Sequence, residues 1–551
     1  MLSRHGLRRL CAGWVISWGL GGVACGLAQV RATGSVSVKD FGAKGDGLTD
    51  DRAPIQAAID SITAGAVYLP PAAAGYLITP APGKKSFLTL KSNVQLIGIG
   101  NPVLLVAGSS APYDAVVSAS SCDDCAILGI TIDSNIRANP VADKPSLYEH
   151  PRIEITFGSG RRIRVENVTI RNSSSVNSIV SGVHVSDITI SHCIFNGNGD
   201  DPNHIAHDHS ALYIQADGAV IDGNIFTAER RAAPAAVTAI ETHGSGMSVS
   251  HNVITDYAIG MNITGVALSD SVGTVVSGNT IRGVLYGISI WSNTYKEHSS
   301  GMGINALSIA GNTIIVNQAS YTSPQPGAAL ATAGIAIHPN SDLPTANIII
   351  SGNTVVFDLE NSLRPASSSS IGIGWWSTLG QTAENLIIAN NIVDNAPVAG
   401  IRLAAHLKGC RVTGNIIRNA GSSLDRTVPA DYKTPIFVAG APATDVEIAD
   451  NQIIDSLEPS RMRNGLFLAT TKGTSSGVSV RNNSVAVLAA NKSSFTSYVR
   501  IDDDRTRPLL VAAWDDFVAP PNAVAAGSEV IDPKNGTLWR APSGGSLSRQ
   551  R

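Results

Sequence analysis

Along most of this chain, apolar residues alternate with other residues at a period of two. One phrase recurs: apolar, two mostly small or polar residues, Asn, any residue, apolar. It reads Ile221-Asp222-Gly223-Asn224, Val249-Ser250-His251-Asn252, Val276-Ser277-Gly278-Asn279, Ile309-Ala310-Gly311-Asn312 and Ile350-Ser351-Gly352-Asn353. It continues as Ile388-Ala389-Asn390-Asn391, Val412-Thr413-Gly414-Asn415, Ile448-Ala449-Asp450-Asn451 and Val480-Arg481-Asn482-Asn483. Ile190-Ser191-His192-Cys193 fits with Cys in the Asn slot. Successive asparagines lie 24 to 41 residues apart, within the period of about 20–50 residues that marks a solenoid. The uneven spacing means that loops of different length leave one turn of each coil. β-Branched residues at period two predict strands, and the three- and four-residue steps of a helical repeat are absent. Asn tolerates the left-handed conformation, and its amide, stacked coil on coil, bonds up and down the stack. At ~4.8 Å per coil, nine ladder positions span on the order of 40 Å.

A second phrase, Gly-apolar-x-apolar-x, precedes each ladder element. Its copies are Ala211-Leu212-Tyr213-Ile214-Gln215, Ala239-Ile240-Glu241-Thr242-His243, Gly260-Met261-Asn262-Ile263-Thr264, Gly287-Ile288-Ser289-Ile290-Trp291, Gly334-Ile335-Ala336-Ile337-His338, Gly372-Ile373-Gly374-Trp375-Trp376 and Gly400-Ile401-Arg402-Leu403-Ala404. Alternate side chains of a strand face opposite ways, so the repeated apolar slots point into the core and the variable ones outward. The outward set is Tyr213, Gln215, Glu241, His243, Asn262, Thr264, Ser289, Trp291, His338, Trp376 and Arg402. Flat aromatic faces with polar neighbours suit sugar rings and their hydroxyls; an ordinary half-wet sheet face is the alternative. The two phrases predict an all-β fold, a right-handed parallel β-helix over 35–490, followed by a C-terminal cap and loose tail over 491–551.

Composition narrows the function classes. A net charge of -3 and the lack of a lysine-arginine run argue against nucleic acid and anionic lipid as partners. The 53 glycines and 5% aromatics suit a chain of many strands and turns. Arg4, Arg8 and Arg9 precede an uncharged stretch from Ala12 to Ala28, and small residues Gly26 and Ala28 flank a cleavage position. This reads as a signal peptide over 1–28, hence a secreted or periplasmic protein free of the membrane after cleavage; a single membrane anchor is the alternative. Cys122-x-x-Cys125 lacks the second pair of a zinc site and is expected as a local disulfide, with Cys193 and Cys410 as buried thiols.

Val38-Lys39-Asp40-Phe41-Gly42-Ala43-Lys44-Gly45-Asp46-Gly47, then Thr49-Asp50-Asp51, Ile55-Gln56-Ala57-Ala58-Ile59-Asp60 and Val67-Tyr68-Leu69-Pro70-Pro71, resembles the N-terminal signature of the pectate-lyase superfamily of parallel β-helix proteins. In this reading Asp50 caps a short amphipathic helix whose Ile55 and Ile59 close the end of the coil. The resemblance implies a carbohydrate ligand but not one reaction. The opening is similar to mannuronan C-5 epimerase modules and to polysaccharide depolymerases. The Tyr-Gly-x-Asp-Pro-His motif of those epimerases has its nearest counterpart in Ala239-Ile240-Glu241-Thr242-His243, where the acid-x-His part matches and the Tyr-Gly part is missing.

These residues point to a polysaccharide-active enzyme. Elimination at a uronate needs a base for the C5 proton and a group that neutralises the carboxylate. Glu241, His243, Tyr213 and Asn262 are the catalytic candidates, with His243 or Tyr213 as the base. Gln215, Trp291, His338, Trp376 and Arg402 are the substrate-binding candidates. β-Elimination is the leading expectation. A glycoside hydrolase would pair Glu241 with Asp208 or Asp217, with Asp256 also near in sequence; a C-5 epimerase and a non-catalytic carbohydrate-binding protein are further alternatives. His204, His207, Asp208 and His209 form a loop cluster without metal-ligand spacing; no metal site is assigned, and a Ca²⁺ bridging a uronate stays open, as does the oligomeric state.

Overall fold

The computed structural model describes residues 32–80, 85–108, 113–139, 150–173, 176–197, 209–228, 237–264, 271–292, 304–317, 331–339, 345–358, 367, 369–375, 381–439, 442–470, 476–503, 510–512, 528–531, 538–541 and 548–549. Within them the chain winds as a right-handed parallel β-helix, the fold expected from the repeat. One sheet of fourteen strands runs from Tyr76–Ile78 to Ser484–Val487 with each strand parallel to the next. A larger sheet wraps the other faces. Its pairings in the repeat region join strands one coil apart, as Val237–Thr242 with Ile259–Thr264 and Val275–Ser277 with Ser308–Ala310.

The interior follows from the phrases. Leu212, Ile240, Met261, Ile288, Ile335, Ile373 and Ile401 form one apolar column, all fully buried. Burial at roughly 25 cal/mol per Å² makes such columns the main driving force of folding. Beneath the turn runs the asparagine ladder. Asn224, Asn252, Asn279, Asn312, Asn353, Asn391, Asn415, Asn451 and Asn483 are each at most 1% exposed. Each backbone amide donates to the Oδ1 of the next at 2.9–3.1 Å. Each Nδ2 donates to that same Oδ1 at 2.8–3.0 Å. Cys193 continues the column by donating its amide to Asn224 Oδ1 at 2.9 Å. The left-handed conformation falls one residue earlier than the ladder Asn, on Gly223, His251, Gly278, Gly311, Gly352 and their counterparts (φ 54 to 66 for those named).

The recurring glycine of the second phrase has a packing cause. At Gly287, Gly334, Gly372 and Gly400 a β-carbon would lie 2.3–2.5 Å from a methyl of Ile314, Val355, Val393 or Ile417 on the facing sheet. At these four glycines the core is filled from across, so a larger side chain would overpack it.

The expected helix spans Arg52–Ser61 and buries Ile55, Ala58 and Ile59. It packs on the strands Ala32–Ser37, Ile62–Leu69, Tyr76–Ile78 and Ser86–Thr89. The N-cap position is Asp51 rather than Asp50, and its carboxylate accepts from the amides of Lys44 (2.5 Å) and Gly45 (2.8 Å) instead of from the helix. Asp50 accepts from the amides of Arg52 and Thr79, both at 3.1 Å. Cys122 and Cys125 are bonded, and Cys193 and Cys410 are buried free thiols. Parallel pairing continues past residue 490: Ser497–Asp503 lies on Asn464–Thr470, and Leu510–Ala512 on Ser476–Arg481. The chain then turns antiparallel between Ser528–Ile531 and Leu538–Ala541.

Candidate active site

The strands His209–Ile214, Val237–Thr242, Ile259–Thr264, Tyr286–Ser292 and Ala333–Pro339 form consecutive rungs of one face. Their register aligns Tyr213 with Glu241, Glu241 with Asn262, and Asn262 with Ser289. It aligns Thr264 with Trp291 and Trp291 with His338. Glu241 points outward between Ile240 and Thr242, which are 0% and 1% exposed. A one-residue slip would have reversed this.

Glu241 and His243 form a polar cluster on this face. His243 Nε2 lies 2.9 Å from Glu241 Oε1, and the side chains are only 6% and 16% exposed. Ser210, from the preceding coil, donates its hydroxyl to Glu241 Oε2. Thr264, from the following coil, places Oγ1 2.8 Å from His243 Nδ1 and also 2.8 Å from the main-chain oxygen of Thr242. The Tyr213 ring lies against the imidazole, centroids 4.7 Å apart and tilted by 43°. Gln215 Nε2 donates to Tyr213 Oη at 3.5 Å. Burial opposes ionisation of Glu241, but the His243 hydrogen bond and charge, with the Ser210 hydroxyl, outweigh it and hold the carboxyl below its usual range.

The other expected site residues divide. Asn262 shares the row with Glu241 but donates to Thr238 Oγ1 at 3.4 Å. Trp291 stacks on His338 at 4.8 Å, and its Nε1 donates to Ser289 Oγ at 2.6 Å. His338 is 9% exposed, and burial pushes its pKa down to about 4, so the stacked pair is neutral at pH 7. Arg402 is outward but lies over Tyr432, 5.0 Å from the ring centroid, and Phe437, 5.8 Å. That cover corrects the picture of a wholly open sugar face. Ala336, Ile371, Ala399, Phe437 and Phe467 form a second buried apolar cluster, with Tyr286 and Tyr432 packed against it. Trp375 faces inward and is fully buried. Trp376, His204, His207 and Asp208 lie outside the described residues, as does the His209 side chain. Asp217 accepts from the Ser245 amide at 2.8 Å, in a turn. Among the described residues no group of three metal-ligating side chains forms.

Ser210 and Thr264 complete the cluster. Thr264 was legible as an outward residue but not as a partner of His243, and Ser210 was not singled out at all. The signal for Ser210 was its place just before the small residue of the phrase, aligned with Thr238 one coil on. A hollow of about 360 Å³ lies elsewhere, lined by Gln95, Asp124, Arg162, Arg164, Asp187 and Thr189 among others. Its Arg162 is forked onto Asp124 with both bonds at 2.6 Å, and its lining includes no imidazole, so its size does not make it the better candidate.

The chain carries this outward acid–imidazole–phenol cluster on a right-handed parallel β-helix, and parts of it match pectate-lyase-like and β-helix family models. Residues 35–262 match the family described as "Rhamnogalacturonase A/epimerase, pectate lyase-like", and residues 201–370 match "Right handed beta helix region". Among characterised proteins the chain is similar to mannuronan C5-epimerase AlgE6 of Azotobacter vinelandii, 39% identical over 149 residues, which is 25% of this chain and 16% of that protein. Alginate lyase 7 of the same organism is 32% identical over 175 residues, 30% of this chain and 20% of that protein. The chain therefore spans about a fifth or less of the length of these two relatives. Among solved structures, the tailspike protein of E. coli bacteriophage HK620 in complex with pentasaccharide superposes with a TM-score of 0.56 at 16% identity, over 90% of this chain and 80% of that one; this likeness shows the fold.

Proposed function

We propose that this chain is a polysaccharide-active enzyme that abstracts the C5 proton of a uronate residue and cleaves the polymer by β-elimination. The observation that carries the reading is the Glu241–His243 pair beside Tyr213 on an outward row. In the step, the base takes the C5 proton and the C5–H electron pair becomes the C4=C5 double bond. The C4–O bond breaks with its pair on the leaving oxygen, which takes a proton. Tyr213, held against the imidazole of the Glu241–His243 pair, is the group placed for proton transfer. Trp291 and His338, two and three coils beyond Glu241, offer a neutral stacked surface to a neighbouring sugar. Similarity to proteins named as mannuronan C5-epimerases and alginate lyase supports a uronate. Hydrolysis would need a second carboxyl about 5–5.5 or 6.5–9.5 Å away; among the described residues Glu241 is the one carboxylate on its row. Epimerisation shares the proton abstraction and differs in returning the proton to the opposite face; the epimerase relatives favour it as the second reading. The reading includes export, supported by the N-terminal basic and uncharged segments and by the Cys122–Cys125 bond.

The test is a panel of uronate and neutral polysaccharides with the purified protein. Unsaturated product from a uronate polymer is the expected result. New reducing ends without unsaturation would establish hydrolysis instead, and altered C5 configuration without cleavage would establish epimerisation.

A further inference from the structure

The hydrogen bonds of Thr264 assign a direction to the protons of His243. The hydroxyl has one proton and two neighbours at 2.8 Å, the Thr242 carbonyl and His243 Nδ1. A carbonyl oxygen only accepts. If the hydroxyl proton went to Nδ1, two oxygens with no proton between them would face each other at 2.8 Å. The arrangement that satisfies every atom sends the Thr264 proton to Thr242 and makes Nδ1 the donor to Thr264. Nε2 then faces Glu241 Oε1 at 2.9 Å across one proton held between them. Glu241 Oε2 in turn accepts from Ser210. Among the described residues the titratable groups against the ring are Glu241, beside it in sequence, and Tyr213 on the coil before; the coil after contributes Thr264.

We propose that Thr264 is a positioning residue that fixes His243 Nδ1 as a hydrogen-bond donor and commits Nε2 to a proton shared with Glu241. The imidazole then has no lone pair to offer a substrate. Its part is to orient the Glu241 carboxylate and to present its ring to Tyr213, to which the proton abstraction falls. The inference rests on the functional reading above only for this last consequence.

The experiment uses the full chain labelled with ¹⁵N-histidine, the His243 signals being assigned by their loss in His243→Gln. Wild type at pH 7 should show a protonated Nδ1. Thr264→Val should lose that state or mix tautomers, and Thr264→Ser should keep it. On a uronate polymer, Thr264→Val should lower kcat about tenfold or more with KM little changed, and Thr264→Ser should restore it. An unprotonated Nδ1 in wild type overturns the proposal. So does an unchanged Nδ1 in a folded Thr264→Val protein, or an unchanged kcat in one whose Nδ1 has lost its proton. If wild type turns over no uronate polymer, the functional reading fails, while the nitrogen signals still decide the role of Thr264.

Discussion

Glu241 Oε1 and His243 Nε2 lie 2.9 Å apart at the end of one strand, both nearly closed off from solvent. The pairing gives the acid a pH signature. Its folded-state carboxyl titrates below the usual range, so its contribution is present above the unfolded value and is lost as pH falls through the folded one. At pH 7, Glu241→Gln should unfold more easily than wild type by about 1.5–3 kcal/mol, the worth of hydrogen bonds to a charged group. The difference should shrink steadily as pH drops below the ordinary carboxylate range. Urea unfolding of both proteins across acidic pH checks this; a constant difference would mean that Glu241 is not ionised in the fold.

His338 gives a second acid-side effect of different origin. Burial lowers its pKa from 6.5 to about 4, so between these values the unfolded chain binds a proton that the folded one does not. Stability should therefore fall as pH drops from 6.5 towards 4, by an amount on the order of 3 kcal/mol, and should show no further loss from this group below that. His338→Gln should remove this part of the slope. Melting temperatures of the two proteins between pH 7 and 4 measure it.

Asn312 sits mid-ladder. Its Oδ1 accepts from the Asn279 amide and Nδ2, and its Nδ2 donates to Val276 O and Asn353 Oδ1. Asn312→Ala strands the buried amide donors of Asn279 and removes the side-chain donor to Asn353 Oδ1 and Val276 O, each unsatisfied group costing about 1–3 kcal/mol. We expect a total loss of at least about 3 kcal/mol by urea unfolding. Asn483, which accepts at Oδ1 and donates only to the main-chain oxygens of Ile448 and Arg481, should cost less when replaced.

Gly334 faces Val355 so closely that a β-carbon would lie 2.3 Å from its Cγ1. Gly334→Ala should destabilise by about 1–3 kcal/mol through overpacking. Val355→Ala opens the space, so the double variant should lose less than the sum of the single changes. Strict additivity in that cycle would show that the two positions do not compete for the same volume.

The sequence made the columns legible because each coil repeats the same demand. The Asn ladder was visible from nine copies, and the outward slots of Glu241 and His243 followed from Ile240 and Thr242 flanking them. The glycine of the second phrase was visible as a repeat, though its cause, the Ile and Val methyls of the facing sheet, is a contact across the core that spacing does not report. The same holds for the site. Ser210 reaches Glu241, and Thr264 reaches His243, from neighbouring coils, and short hydroxyl side chains are common enough in strands to carry no signal of their own. Arg402 illustrates the opposite error. Its slot is outward as expected, but Tyr432, from a loop thirty residues on, covers it. Before Cys193 the ladder phrase is absent, and there the strands Ile153–Glu166 and Asn177–Ser191 run long and pair with each other.

The proposed C5 proton abstraction takes place at the Glu241–His243–Tyr213 cluster. The measurement that tests it most directly follows deuterium placed at C5 of a uronate polymer during incubation with the purified chain. Release of the label to solvent by wild type, and its near-complete suppression in folded Glu241→Gln and Tyr213→Phe, is the predicted result. Cleavage of the polymer with the label fully retained, or label release undiminished in both variants, would contradict it.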